Sequence, residues 1–169
     1  MFRLLLIFFI LVSPIKALAL IEVDITRGNL NPLPVAVSPL SIEEDSRKKF
    51  EKILKKKNIG SEISIIVENN LKTSGLFNPL NKDAFLQEPE IANLKPRFED
   101  WNLIKAQALI TGKVKFVDEK LRVEFRLWDV LAGKEMMALA FTTVPNNWRR
   151  VGHIITDKVY ERLTGEKGY

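Results

Sequence analysis

Gly60–Leu80 reads GSEISIIVENNLKTSGLFNPL, and its reading decides the fold. Ile63, Ile66, Val67 and Leu71 recur at helical spacing, which predicts a helix with one apolar face. Glu62, Glu68, Asn69 and Lys72 cover much of the opposite face. Ser61 suits an N-cap, because its hydroxyl can accept from a free backbone N–H of the first turn. Gly75 suits the stop, because glycine adopts the left-handed conformation that closes a helix. Leu76-Phe77 then turns apolar at once and Asn78-Pro79 ends the run, as a short strand beside the helix would. Pro34–Pro39 (PVAVSP) reads as the strand before it. The three pieces form a strand–helix–strand unit. No glycine-rich turn joins its first strand to its helix, so the usual phosphate cradle is missing.

Working outward, the 169 residues suggest a single domain. Met1–Ala19 has the form of a secretory signal peptide: Arg3 near the start, an apolar run Leu4–Val12, and the small-x-small site Ala17-Leu18-Ala19. The run is too short to span a bilayer, which takes about 20 apolar residues. Cleavage after Ala19 is expected, with delivery to the periplasm and no direct membrane insertion afterwards. It would remove Arg3 and Lys16 and no acids, taking the net charge from +5 to +3. That mild excess argues against a nucleic-acid partner. The chain has no cysteine, so neither a lipoprotein anchor nor a disulfide framework is available.

Leu20–Thr26 (LIEVDIT) alternates, with Ile21, Val23 and Ile25 on one side and Glu22, Asp24 and Thr26 on the other. The residues alone leave two fates open. The segment can join its own sheet, or it can add to the edge of a partner's sheet. A turn-rich tether, 28–34, follows it. Ser41–Asn58 is highly charged, with a narrow stripe of Ile42, Phe50, Ile53 and Leu54, and reads as a surface helix. Its acids come early and its lysines late, which suits the helix dipole. Lys55-Lys56-Lys57 reads as solvated surface. Asn81–Pro96 reads as a long surface loop with one short helical turn. Arg97–Ile104 reads as a short helix whose Trp101 fills the core. Three alternating runs then follow: Ala108–Phe116, Leu121–Leu127 and Met137–Phe141, turned at Asp118-Glu119 and Ala132-Gly133. They predict an antiparallel meander with one wet face. Trp148, Val151, Ile155, Val159 and Leu163 mark a last helix over Asn147–Leu163, ended by Thr164-Gly165. The expected fold is α/β: a mixed sheet, strand–helix–strand then antiparallel meander, with helices packed on one face of a single domain.

Chemistry is sparse. His153 and Asp157 lie one helical turn apart and can pair, which is two parts of a hydrolase triad. No G-x-S-x-G elbow and no cysteine nucleophile completes it. A single histidine makes a zinc site improbable. The acids Glu43-Glu44-Asp45 and Glu99-Asp100 fall in charged surface stretches. No enzyme, metal or cofactor is expected.

Several stretches resemble the TolB family's amino-terminal domain. Pro34-Val-Ala-Val-Ser-Pro39-Leu40 is similar to its P-I-x-V-x-P-F, and Ser74–Leu80 to its S-G-x-F-x-P-L. Trp101 precedes Ile110-Thr-Gly-Lys-Val114, similar to V-x-G-x-V. Leu127–Val130 resembles L-x-D-V. Arg149, His153, Asp157 and Leu163-Thr164-Gly165-Glu166-Lys167-Gly168 resemble R-x-x-x-H-x-x-x-D with L-T-G-x-x-G. The charged segment Glu43–Asn58 is longer than this family's connection. The resemblance implies a non-enzymatic periplasmic link in the Tol–Pal envelope system, serving outer-membrane integrity and constriction at division. It implies that a mature N-terminal segment engages the C-terminal domain of TolA. Carried over, the contact residues are Leu20, Ile21, Glu22, Val23, Asp24, Ile25, Thr26 and Arg27, with a partner-binding strand and tether over 20–33 and the α/β domain over 34–169. Pal contacts belong to the family's propeller, whose repeats are not expected within these residues. The CsgG-like and LpoB-like envelope adaptors share the V-A-V-x-P strand and a helix ending S-G-x-F, and form the alternative.

Overall fold

The computed structural model of the chain describes residues 31–167. The expected signal peptide and the expected partner-binding residues Leu20–Arg27 lie outside them. Strands are β1 (Leu33–Val37), β2 (Ser41–Ile42), β3 (Phe77–Pro79), β4 (Ala108–Val117), β5 (Lys120–Asp129) and β6 (Lys134–Thr143). Helices are α1 (Glu44–Leu54), α2 (Ile59–Thr73), α3 (Pro89–Leu94), α4 (Phe98–Leu103) and α5 (Trp148–Thr164). The sheet runs β3-β1-β4-β5-β6, with β2 also against β4. β3, β1, β2 and β4 pair parallel, and β4-β5-β6 form the antiparallel meander.

β1 and β2 are one strand with an interruption. Val37 pairs with Ile110 and Ser41 with Lys113, so four steps along one strand match three along the other. Pro39 sits in the interruption and has no N–H to offer the ladder. Helix α2 closes the gap. The Leu40 N–H donates to Ser64 Oγ at 3.0 Å, and Ser64 Oγ donates to the Ser38 carbonyl at 3.0 Å. So close an approach requires Gly60: a Cβ there would lie 1.9 Å from the Leu40 carbonyl oxygen.

The expected elements are found, with corrected ends. Ser61 is not the N-cap; Asn58 takes that position and Ser61 lies inside α2. The apolar Ile59, pulled into the core, draws the helix start three residues back. Ser41-Ile42 is strand rather than helix, because β4 continues past β1 and offers its edge. The 81–96 stretch holds more than one turn: a 3-10 turn (Lys82–Ala84) and α3, opened by Pro89 in its first turn. α5 starts at Trp148, behind a 3-10 turn at Pro145–Asn147.

Both long helices, α2 and α5, lie on one sheet face, and their apolar stripes meet Val35, Val37, Ile110, Val114, Val123, Phe125 and Leu127. They cross closely at Gly152, where a Cβ would sit 2.9 Å from the Ile66 side chain. α3 and α4 add a smaller layer on the other face, where Ala92, Trp101 and Ala106 meet Ala36, Leu109 and Val130. Trp101 is 1% exposed and edge-on to Phe85 at 5.0 Å, so it packs as core, as expected.

Candidate functional site

Where the N-terminal tether enters the fold is well defined. The Leu33 N–H donates to the Leu76 carbonyl at 2.9 Å, and Asn31 and Pro32 before it are exposed. Parallel pairing of β1 with β3 places that entry beside the C-terminal end of α2. The same end of the molecule carries a cleft of about 480 Å³ between α2 and α5. Asn70, Thr73 and Ser74 line it from α2 and the residue after it; His153, Thr156, Asp157 and Tyr160 line it from α5. Phe77 of β3 meets Tyr160 edge-on at 6.0 Å, so the cleft adjoins the edge strand.

The His153–Asp157 pair expected from helical spacing is not formed. His153 Nδ1 instead lies 2.8 Å from Asn70 Nδ2, an amide N–H that suits a ring nitrogen accepting. Asn70 was not legible as its partner, since 83 positions separate them and only the packing of α2 on α5 joins them. The cleft's serine and threonine hydroxyls are already occupied. Thr73 Oγ1 donates to the Asn69 carbonyl at 2.8 Å, Ser74 Oγ to the Leu71 carbonyl at 2.6 Å, and Thr156 Oγ1 to the Gly152 carbonyl at 3.0 Å. A nucleophile activated by histidine needs its O–H aimed at the ring. Here those donors face helix carbonyls.

Shifted carboxylates lie outside the cleft. Arg122 beside Glu124, helped by Lys115 and Lys113, holds that carboxyl down at about 2. Gln87 and then Arg97 lower Asp100, and Lys158 lowers Glu161. Each is explained by its surface ion pair or hydrogen bond, so none marks an acid–base site. Among the described residues no group of three or more His, Asp or Glu could hold a metal ion. No helix among them is long and apolar enough to cross a membrane.

The family-like motifs mostly build turns. Gly75 takes φ 74°, and the Leu76 N–H donates to Ser74 Oγ at 3.3 Å, which accounts for the S-G-x-F run. Asp129 Oδ1 accepts from the Ala132 N–H at 2.8 Å and shapes the β5–β6 turn. Thr164 Oγ1 donates to the Tyr160 carbonyl at 2.8 Å and accepts from the Glu166 N–H at 3.1 Å, fixing the end of α5.

Fold and cleft together define a mixed-sheet α/β domain with a cleft between its two long helices. The chain belongs to the TolB amino-terminal domain family, which it matches over residues 21–136. It is 83% identical over 167 residues to "Tol-Pal system protein TolB" of Pelagibacter ubique (strain HTCC1062), covering 99% of this chain and 37% of that protein. The chain thus spans little more than a third of that relative's length. TolB from Acinetobacter baumannii shares the fold, with a TM-score of 0.65 and 20% identity over 88% of this chain and 32% of that one. The LpoB C-terminal domain from Salmonella enterica reaches a TM-score of 0.45 at 11% identity, over 69% of this chain and 86% of that one. A likeness that loose carries no argument for an LpoB-like adaptor.

Proposed function

We propose that this chain acts as a non-enzymatic interaction module of a Tol–Pal envelope system in the periplasm, serving outer-membrane integrity and constriction at division. The observation that carries the reading is the family match over residues 21–136, together with 83% identity to a protein named for that system. The occupied serine and threonine hydroxyls of the cleft favour binding over catalysis. The partner is the C-terminal domain of TolA, engaged by Leu20–Arg27. Alternating Ile21, Val23 and Ile25 suit strand addition, where backbone hydrogen bonds supply affinity and alternate side chains fill pockets. Contacts with Pal belong to parts of the longer relatives beyond these residues.

The test is binding to the TolA C-terminal domain from the same cell by the chain starting at Leu20 and by one starting at Pro32. Loss of binding on truncation, at an unchanged melting temperature, is the expected result. Equal binding by both would put the contact elsewhere on the domain. Absence of binding by the longer chain would overturn the TolA reading.

A further inference from the structure

One end of the molecule carries an excess of positive charge that the Tol–Pal reading does not use. Between Lys48 and Lys57 the chain has six lysines and one acid, Glu51. Lys48 and Lys52 lie one turn apart on the side of α1 opposite the buried Phe50, and Lys55 follows as the helix's left-handed C-cap. All three are exposed, as is Lys57. The start of α5 adds Arg149 and Arg150, also exposed. The two groups are fastened together by one indole: Lys56 Nζ lies 5.3 Å and the Arg149 guanidinium 4.3 Å from the centre of the Trp148 ring. Acids answer this charge only partly. Glu62 pairs with Lys56 at 2.8 Å and Glu51 with Lys57 at 3.8 Å. The remaining acids of the segment, Glu43, Glu44 and Asp45, sit at the opposite end of α1.

Two apolar side chains are exposed among these cations. Ile53 is 47% exposed on α1, and Val144 is 54% exposed just before the Pro145–Asn147 turn. α1 packs against that turn, so both belong to the same end.

We propose that this end docks on the surface of a bilayer rich in anionic phospholipid, with Ile53 and Val144 at its headgroup boundary. Clusters of four to eight cations with adjoining apolar residues have this chemistry. The cations are mostly lysine, which protein–protein interfaces disfavour; they lack the rigid fork of arginine that grips one carboxylate. Flexible point charges suit a plane of many loosely placed phosphates better than one acidic peptide. Topology adds a consequence. α2 and α5 begin at the cationic end, whereas β1 enters beside the C-terminal end of α2. A docked domain would therefore hold the start of β1 on the side away from the bilayer.

The experiment is co-sedimentation of the chain, as it accumulates in the periplasm of an expression host, with phosphatidylcholine vesicles with and without phosphatidylglycerol. Binding is expected only with phosphatidylglycerol, and is expected to weaken with salt. The variant Lys48→Gln/Lys52→Gln/Lys55→Gln/Lys57→Gln should weaken it by about a hundredfold or more, and Lys52→Gln alone by about fivefold. The matched variant Lys72→Gln/Lys95→Gln/Lys105→Gln/Lys134→Gln makes the same charge change elsewhere and should bind as the parent does. No dependence on phosphatidylglycerol, or equal loss in both quadruple variants, overturns the proposal. So does release by inorganic phosphate at matched ionic strength, which would indicate a phosphate site. Polyglutamate competing as well as the vesicles would overturn it in favour of an acidic protein.

Discussion

At the residue scale, two side-chain environments carry sharp consequences. Gly60 is where α2 touches the interrupted strand, and a methyl group there would fall 1.9 Å from the Leu40 carbonyl oxygen. Gly60→Ala must move backbone rather than a side chain, and also disturbs the Ser64 bridge to Ser38 and Leu40. We expect a loss of about 3 kcal/mol, read as a lower urea midpoint with an unchanged slope. Glu124 is the acceptor for Arg122 at 2.8 Å and Lys115 at 3.1 Å, with Lys113 at 3.5 Å. Because folding lowers its pKa from 4.5 to about 2, its stabilising effect is fully present above 4.5. The effect is lost as pH falls through about 2. Glu124→Gln should therefore cost about 1 kcal/mol at neutral pH. The gap between variant and parent should close on acidification through that window, which melts at a series of pH values would follow.

Elements show where local chemistry and tertiary demand disagree. The β4–β5 hairpin turns on two residues, since Val117 pairs with Lys120. Asp118 and Glu119 both take positive φ, 46° and 58°, the geometry of a type I′ turn that asparagine and glycine favour. Replacing them with Asn-Gly should stabilise the domain by about 0.5–1 kcal/mol, visible as a higher melting temperature with unchanged near-UV dichroism. An unchanged or lower melting temperature would mean that Glu119 contributes something the turn geometry does not reveal. β6 was readable as a strand from alternation alone. Its irregular register against Leu127/Trp128, where Met136 is passed over, was not, because register belongs to the pairing of two strands and not to the pattern of one.

Across the whole molecule, charge and chain entry are segregated. The cationic end holds the starts of α2 and α5, while the start of β1, the edge strand β3 and the α2–α5 cleft share the other. If the residues before Pro32 serve a partner rather than the fold, as proposed, their removal should preserve the melting temperature in the binding test above. The amino-acid sequence by itself determined the elements and the class of sheet. Helical spacing in α2 and α5 and alternation in β4, β5 and β6 are local periodicities, which one side of each element must satisfy to bury its apolar groups. Sequence motifs likewise determined the family. Tertiary structure alone decided that β2 extends β1 along β4, that Asn70 rather than Asp157 meets His153, and that Lys56 and Arg149 share Trp148. Each of these joins residues far apart in the chain. Such contacts are set by how the faces of packed elements meet, and no local spacing records that.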